Sequence, residues 1–312
     1  MDSIAPRLKK IAKAYEAAQI VPAEFVAPKA STARSATAKL IAKAIPNLST
    51  QAKAFDAVVA KHMKEGDAAL KKARAGAIKD SRGQKGAIAH LAAQKVKAYE
   101  VLSAVDVPGT QYHLLNTPFE ISSSAGMPLT SAAIVPSNSS AKFKLHVEDG
   151  PDVTNTASFK YVWVNPTDKY VVVNAHGYII FRGHAQYGVG GGFFGGDRNI
   201  TVSVSGRLEI FDWSNPDPVA VPPVADQSVN VYYAHEDQGG WWSVGAVGAN
   251  DIFRGYDLSH ELLVVPPHAT MGFVMTGAFT CNTGDDESLI DLDFASGNFQ
   301  LGSPAVLLAI VS

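Results

Sequence analysis

The sequence predicts an α+β protein of two domains. A basic helical bundle occupies residues 1–108, and an acidic antiparallel β-sandwich, jelly-roll-like, occupies 109–312. Three observations lead there. Residues 1–108 carry 19 Lys and Arg against 9 Asp and Glu, a formal +10, whereas the remaining 204 carry 8 against 20, a formal −12. Only Tyr15, Phe25, Phe55 and Tyr99 of the 28 aromatic residues precede the boundary, and all four tryptophans follow it. At Pro108-Gly109 the apolar pattern changes from helical spacing to alternation.

In the basic half, Ile4, Leu8, Ile11 and Tyr15 recur at helical spacing with Lys9, Lys10 and Lys13 off the stripe. Ser3 can cap this helix, and Pro6 falls in its first turn, where proline is tolerated. A second helix is expected over 31–45 and is stopped by Pro46. The longest stripe is Phe55, Val58, Val59, Met63, Leu70 and Ala73, with Gly66 as its weak point. Ser81 and Gln84 have capping-box spacing and predict a fourth helix over 81–105, with Ile88, Leu91, Ala92, Tyr99 and Leu102 on its apolar face. Ala-rich stripes allow four such helices to pack closely.

In the acidic half, Phe159–Val164 alternates and breaks at Asn165-Pro166. Strands are expected at 170–174, 176–184, 200–211, 228–234, 240–247, 261–265, 272–281, 288–294 and 305–311, with weaker ones between 111 and 148. Ten to thirteen short strands with regular turns describe a sandwich. The apolar run Ala305–Val311 reads as a central strand. The Pro-rich segment 215–224 reads as a connection across one end. A short echo links Ile180-Phe181-Arg182-Gly183 with Ile252-Phe253-Arg254-Gly255.

The single cysteine, Cys281, excludes an intrachain disulfide and any CxxC zinc or redox site, and in the run Phe279-Thr280-Cys281-Asn282 it reads as a buried structural thiol. Gly190–Gly195 satisfies GxGxxG, but a strand pattern follows where a dinucleotide site needs a helix. The run reads instead as a glycine-flanked tip presenting Phe193 and Phe194 as a surface pair. Trp241 and Trp242 form a second surface candidate, because adjacent strand residues point oppositely and one indole must face outward. Gly83-Gln84-Lys85-Gly86 lacks the sheet of a nucleic-acid-clamping GXXG module, and Ser139–Lys142 lacks the partners of an SxxK nucleophile. His176, Arg182 and His184 share one strand face, expected to be polar and exposed. Asp285, Asp286 and Glu287 are a weak cation candidate without EF-hand spacing. Lys71, Lys72 and Arg74 represent the basic face.

No nucleophile–base pair or metal cluster emerges, so the sequence predicts a non-enzymatic structural or interaction protein without a cofactor. It is expected to be a self-assembling homo-oligomer subunit with a β-sandwich binding domain, its opposed charges guiding association. One alternative is a membrane-active, toxin-like protein whose basic helices meet anionic lipid and whose β-domain meets a glycan or protein receptor. Another is a nucleic-acid-packaging shell protein, since Lys outnumbers Arg 15 to 4 in the basic half. The N-terminus shows neither a signal-peptide pattern nor a spanning segment, which predicts synthesis in the cytoplasm with non-classical release as the way out.

Overall fold

The computed structural model describes residues 48–84, 86–104, 107–148, 152–190, 192–193, 198–214, 223–238, 242–243, 245–283 and 288–311. The expected helices over 4–15 and 31–45 lie outside these residues. Two helices are described, α1 (Leu48–Gly83) and α2 (Ala87–Ser103). No helix among the described residues is long and apolar enough to cross a membrane.

Fifteen strands follow: β1 (Thr110–Leu115), β2 (Glu120–Ser123), β3 (Leu129–Ala133), β4 (Ser139–Glu148), β5 (Val153–Val164), β6 (Val171–Val189), β7 (Gly192–Phe193), β8 (Asn199–Asp212), β9 (Ala225–Asp237), β10 (Trp242–Ser243), β11 (Ala246–Val265), β12 (Thr270–Thr283), β13 (Ser288–Asp293), β14 (Gln300–Ser303) and β15 (Val306–Val311). Sheet I has the order β1-β15-β6-β13-β4-β14, with β11 on the other side of β6 and β3 on β4. Sheet II has the order β2-β5-β12-β8-β9, and β7 with β10 forms a separate ribbon. The result is a sandwich of antiparallel sheets, as the alternation implied.

Two expected strands at 170–174 and 176–184 are one 19-residue strand, β6. The expected 240–247 covers β10 and only the first two residues of β11, and the expected 261–265 is the end of that 20-residue strand, whose polar middle hides it from an apolar-pattern reading. Along β6, Val171, Val173, Ala175, Ile179, Phe181, Ala185 and Val189 face sheet II and join the core. From sheet II, Phe159, Phe273, Met275, Phe279, Val204 and Leu208 meet them. Phe143, Phe181, Phe279 and Phe294 form the aromatic centre, with ring centroids 4.8–6.5 Å apart. Gly183 lies among them because a Cβ there would stand 2.7 Å from the Phe294 ring.

The two helices lie on the outer face of sheet I. Gly66 does not interrupt α1; it lets the helix settle on β11, where a Cβ would meet Val247 Cγ1 at 3.0 Å. Ile88 and Ala92 of α2 pack on Tyr178 and Ile180, and Val96 and Tyr99 pack on Ala305 and Leu307. The expected capping box is corrected: Ser81 sits in the last turn of α1, where its hydroxyl donates to the Ile78 carbonyl at 2.8 Å. The cap of α2 is Gly86 at φ 86, a left-handed conformation that only glycine adopts cheaply. Ser81 instead joins helix to sheet, its carbonyl accepting from Asn298 Nδ2 at 2.8 Å.

The strongest link is Arg74 to Asp293. The guanidinium Nη2 donates to Oδ2 at 2.7 Å, and the Asp293 side chain is 2% exposed. Burial opposes ionisation of this carboxyl. Hydrogen bonds from Ser296 Oγ, the Ala295 N–H, Arg74 and the Ser296 N–H outweigh it and hold the pKa at about 2. A carboxylate depressed in the folded state stabilises above its unfolded pKa, so roughly 2 kcal/mol is present above about pH 4 and lost as pH falls through about 2. Urea titrations should show Arg74→Ala costing about 2 kcal/mol at pH 7. Asp293→Asn should flatten the acid limb between pH 4 and 2.

Candidate functional site

One end of the sandwich gathers the ends of six strands. There Val189 of β6 lies opposite Ala246 of β11 on one side and Ser288 of β13 on the other. In sheet II the same end pairs Ile200 with Thr283 and Asn199 with Asp237. The connections between β6 and β8, β9 and β11, and β12 and β13 therefore all leave from this end. They carry the glycine-rich run, the tryptophan pair and the acidic cluster. Within them the backbone of Trp242 lies directly opposite Phe193, and Ser243 opposite Gly192. Phe194, Trp241, Asp285, Asp286 and Glu287 lie outside the described residues. Phe193 and Trp242, chosen separately along the sequence, thus meet in one ribbon, beside which α1 passes. Strand β8 follows the GxGxxG run, so no helix N-terminus is available to a dinucleotide phosphate there.

The second group of polar residues is the outer face of β6. The expectation of an exposed face at His176, Arg182 and His184 is overturned: Tyr178, Ile180, Arg182, His184 and Gln186 are all buried, and only His176 is half-exposed. The helices cover it. Arg182 lies 4.9 Å from the Phe253 ring and 5.4 Å from Phe299, and donates to Gln84 Oε1 at 3.1 Å. Desolvation lowers the guanidinium pKa, while the charges of Asp251 and Asp80 work the other way.

His184 Nδ1 is 2.7 Å from Asp251 Oδ1, and Gln186 Nε2 donates to Asp291 Oδ2 at 2.8 Å. The other Asp291 oxygen is 2.7 Å from His146 Nδ1, and this hydrogen bond raises the His146 pKa against a smaller desolvation effect. His184 Nε2 and Gln186 Oε1 are buried without a partner among the described residues. The carboxylates of this grid are each engaged and tie β4, β6, β11 and β13 of sheet I to one another. Among the described residues no three His, Cys, Asp or Glu side chains are placed to hold one metal ion.

The basic-face residues separate. Lys71 and Lys72 are exposed, whereas Arg74 turns to the sheet and Asp293. The pairing of Arg182 with Phe253 was written in the sequence echo. Ile180-Phe181-Arg182-Gly183 lies antiparallel to Ile252-Phe253-Arg254-Gly255, with Arg182 opposite Phe253 and Phe181 opposite Arg254. Read in opposite directions, the two tetrapeptides meet about a local two-fold.

No known family model matches the chain, and no curated protein does. Solved structures similar to it include TmCBM61 in complex with β-1,4-galactotriose, at 10% identity and TM-score 0.21, covering 58% of this chain and 86% of that one. A structure described as "CBM4 structure and function" is 9% identical with TM-score 0.15, over 57% and 78% of the two chains. The enzymatically active domain of bacteriophage CBA120 tailspike protein 4 is 11% identical with TM-score 0.18, over 57% and 20%. None of these likenesses carries the assignment below.

Cys281 lies on the inner face of β12, fully buried, and burial pushes its thiol pKa up to about 12. A thiol so protonated and enclosed is inert. An aromatic disulfide reagent at pH 8 should leave the native protein unlabelled and titrate one thiol after denaturation in guanidinium chloride. Rapid native labelling would contradict this placement.

Proposed function

We propose that the chain is a non-enzymatic interaction protein and a homo-oligomer subunit, binding ligand at the loop end of its sandwich and its own copies at the other. Loops carried by rigid strands are where binding residues concentrate, and here they bring Phe193 and Trp242 into register. The jelly-roll-like connectivity is part of this reading. Repeated crossing of the chain between the sheets, as in β4 to β5 to β6 to β8, supports it.

The observation that carries the self-contact is an apolar row at the end of sheet I remote from the loops. Val264, Val172 and Val311 stand side by side across β11, β6 and β15, on the outer face beyond the cover of α2. Val264 is 61% exposed and Val311 43%. Leu262 beside them is 74% exposed, held at φ 60 by a bulge between His260 and Leu263 and by Asn174 Oδ1, which accepts from its N–H at 2.8 Å. A left-handed leucine costs on the order of 1 kcal/mol, and such strain persists where the surroundings fix it. Among the described residues β11 pairs along one side only, with β6, so this row continues to a strand edge. Burying the row and its edge against a second copy removes both from water.

Opposed charges contribute less to this contact than composition implies, because Arg74–Asp293 and Lys95–Asp257 are paired within one chain. Sedimentation velocity at tens of micromolar should show an oligomer that persists in high salt. The double variant Leu262→Lys/Val264→Lys should sediment as a monomer with an unchanged circular-dichroism spectrum. A monomeric wild-type chain under these conditions would sink the reading.

A further inference from the structure

Helix α1 presents a cationic face to solvent along its described length. At about 100° per residue, Lys61, Lys64, Lys71, Lys72, Lys79 and Arg82 fall within one sector of about 100°. All six are exposed, and Val59, Leu70 and Ala77 occupy the opposite, buried side. Only Lys61 has an ion pair among the described residues, with Glu65 at 4.0 Å. The row from Lys61 to Arg82 is about 31 Å long and continuous, since the helix runs unbroken from Leu48 to Gly83.

Between the cations, the same sector holds the exposed Ala68 and Ala75. The ridge is therefore low, and a large flat anion can approach all six charges at once. The sector holds no large apolar side chain, whereas a helix that settles in a lipid interface needs an apolar face turned to the bilayer. The apolar face of α1 is spent on the sandwich.

We propose that this face is a docking rail for the phosphate backbone of a nucleic-acid duplex. Its length approximates one turn of duplex, about 34 Å. Lysine ammoniums are compact point charges that neutralise phosphates without reading bases, so the rail binds without sequence preference. Residues 109–312, at a formal −12, repel the same polyanion and leave the basic half, with α1 as its longest described helix, as the part that meets it. This inference is independent of the self-contact at the far end of sheet I.

The test is fluorescence anisotropy of a labelled 30-base-pair duplex with the full-length chain, titrated from 50 to 200 mM KCl. Six phosphate contacts predict a log–log salt slope of about −5. The triple variant Lys64→Glu/Lys71→Glu/Lys79→Glu should weaken binding at least tenfold at the lowest salt and reduce the slope by about 3. The matching Lys→Gln variant should lie between, which keeps the test valid if charge reversal disturbs folding. Unchanged affinity in both variants would place binding elsewhere on the chain and overturn the rail. Absence of binding at low salt would do the same. So would retention on phosphatidylserine vesicles without retention of the duplex.

Discussion

A strand buried on both faces has to satisfy two different interiors, and β6 meets that constraint from Gly177 to Gln186. Its odd-numbered residues are small or apolar and fill the sandwich. Its even-numbered residues run from Tyr178 and Ile180 through Arg182 to His184 and Gln186, polar groups that water would solvate if the face were open. Under the helices each needs a partner: Gln84 and two aromatic rings for Arg182, Asp251 for His184, Asp291 for Gln186. Sheet I is therefore tied both to sheet II and to α1 and α2. Loss of the helical cover would take Gln84 from Arg182 and expose Tyr178 and Ile180 to water.

The charge asymmetry is resolved in the same place. Where α1 and α2 meet sheet I, cations find carboxylates: Arg74 at Asp293 and Lys95 at Asp257. Burial makes the first of these strong, because removing one member would strand a charge in a poorly solvated site. Cations on the far side of α1 have no such partner and remain a solvent-facing field. One helix thus uses its charges in two ways, according to the face each occupies.

The two ends of the sandwich differ in construction. At one end, Asn165 is fully buried, and its side-chain amide donates to the carbonyls of Lys169 and Pro266, which closes the turns after β5 and β11. Val264, Val172 and Val311 stand near this closed end. At the other end β6, β8, β9, β11, β12 and β13 begin or finish together, and the aromatic and acidic runs of the sequence are delivered there. A closed end and a loop-bearing end thus stand on one scaffold.

By itself the sequence determined the composition of the two halves, the position of the break at Pro108-Gly109, and the antiparallel sandwich. Each is set by local pattern: charge counts, apolar period and turn residues. It also marked Cys281 as a buried thiol. The Ile-Phe-Arg-Gly echo held the β6–β11 register in plain sight, although a repeat alone does not say whether its copies lie side by side or end to end. Only the tertiary structure decided that Arg182 and His184 are covered, because alternation reports which residues share a face and not what lies over it. It also decided that Ser81 serves a sheet loop instead of a helix start, and that Arg74 leaves the lysine row for Asp293. Those outcomes depend on residues far away in the sequence, 98 positions for Arg182 and Gln84 and 219 for Arg74 and Asp293, brought close when α1 settles on sheet I, and no local spacing carries that distance.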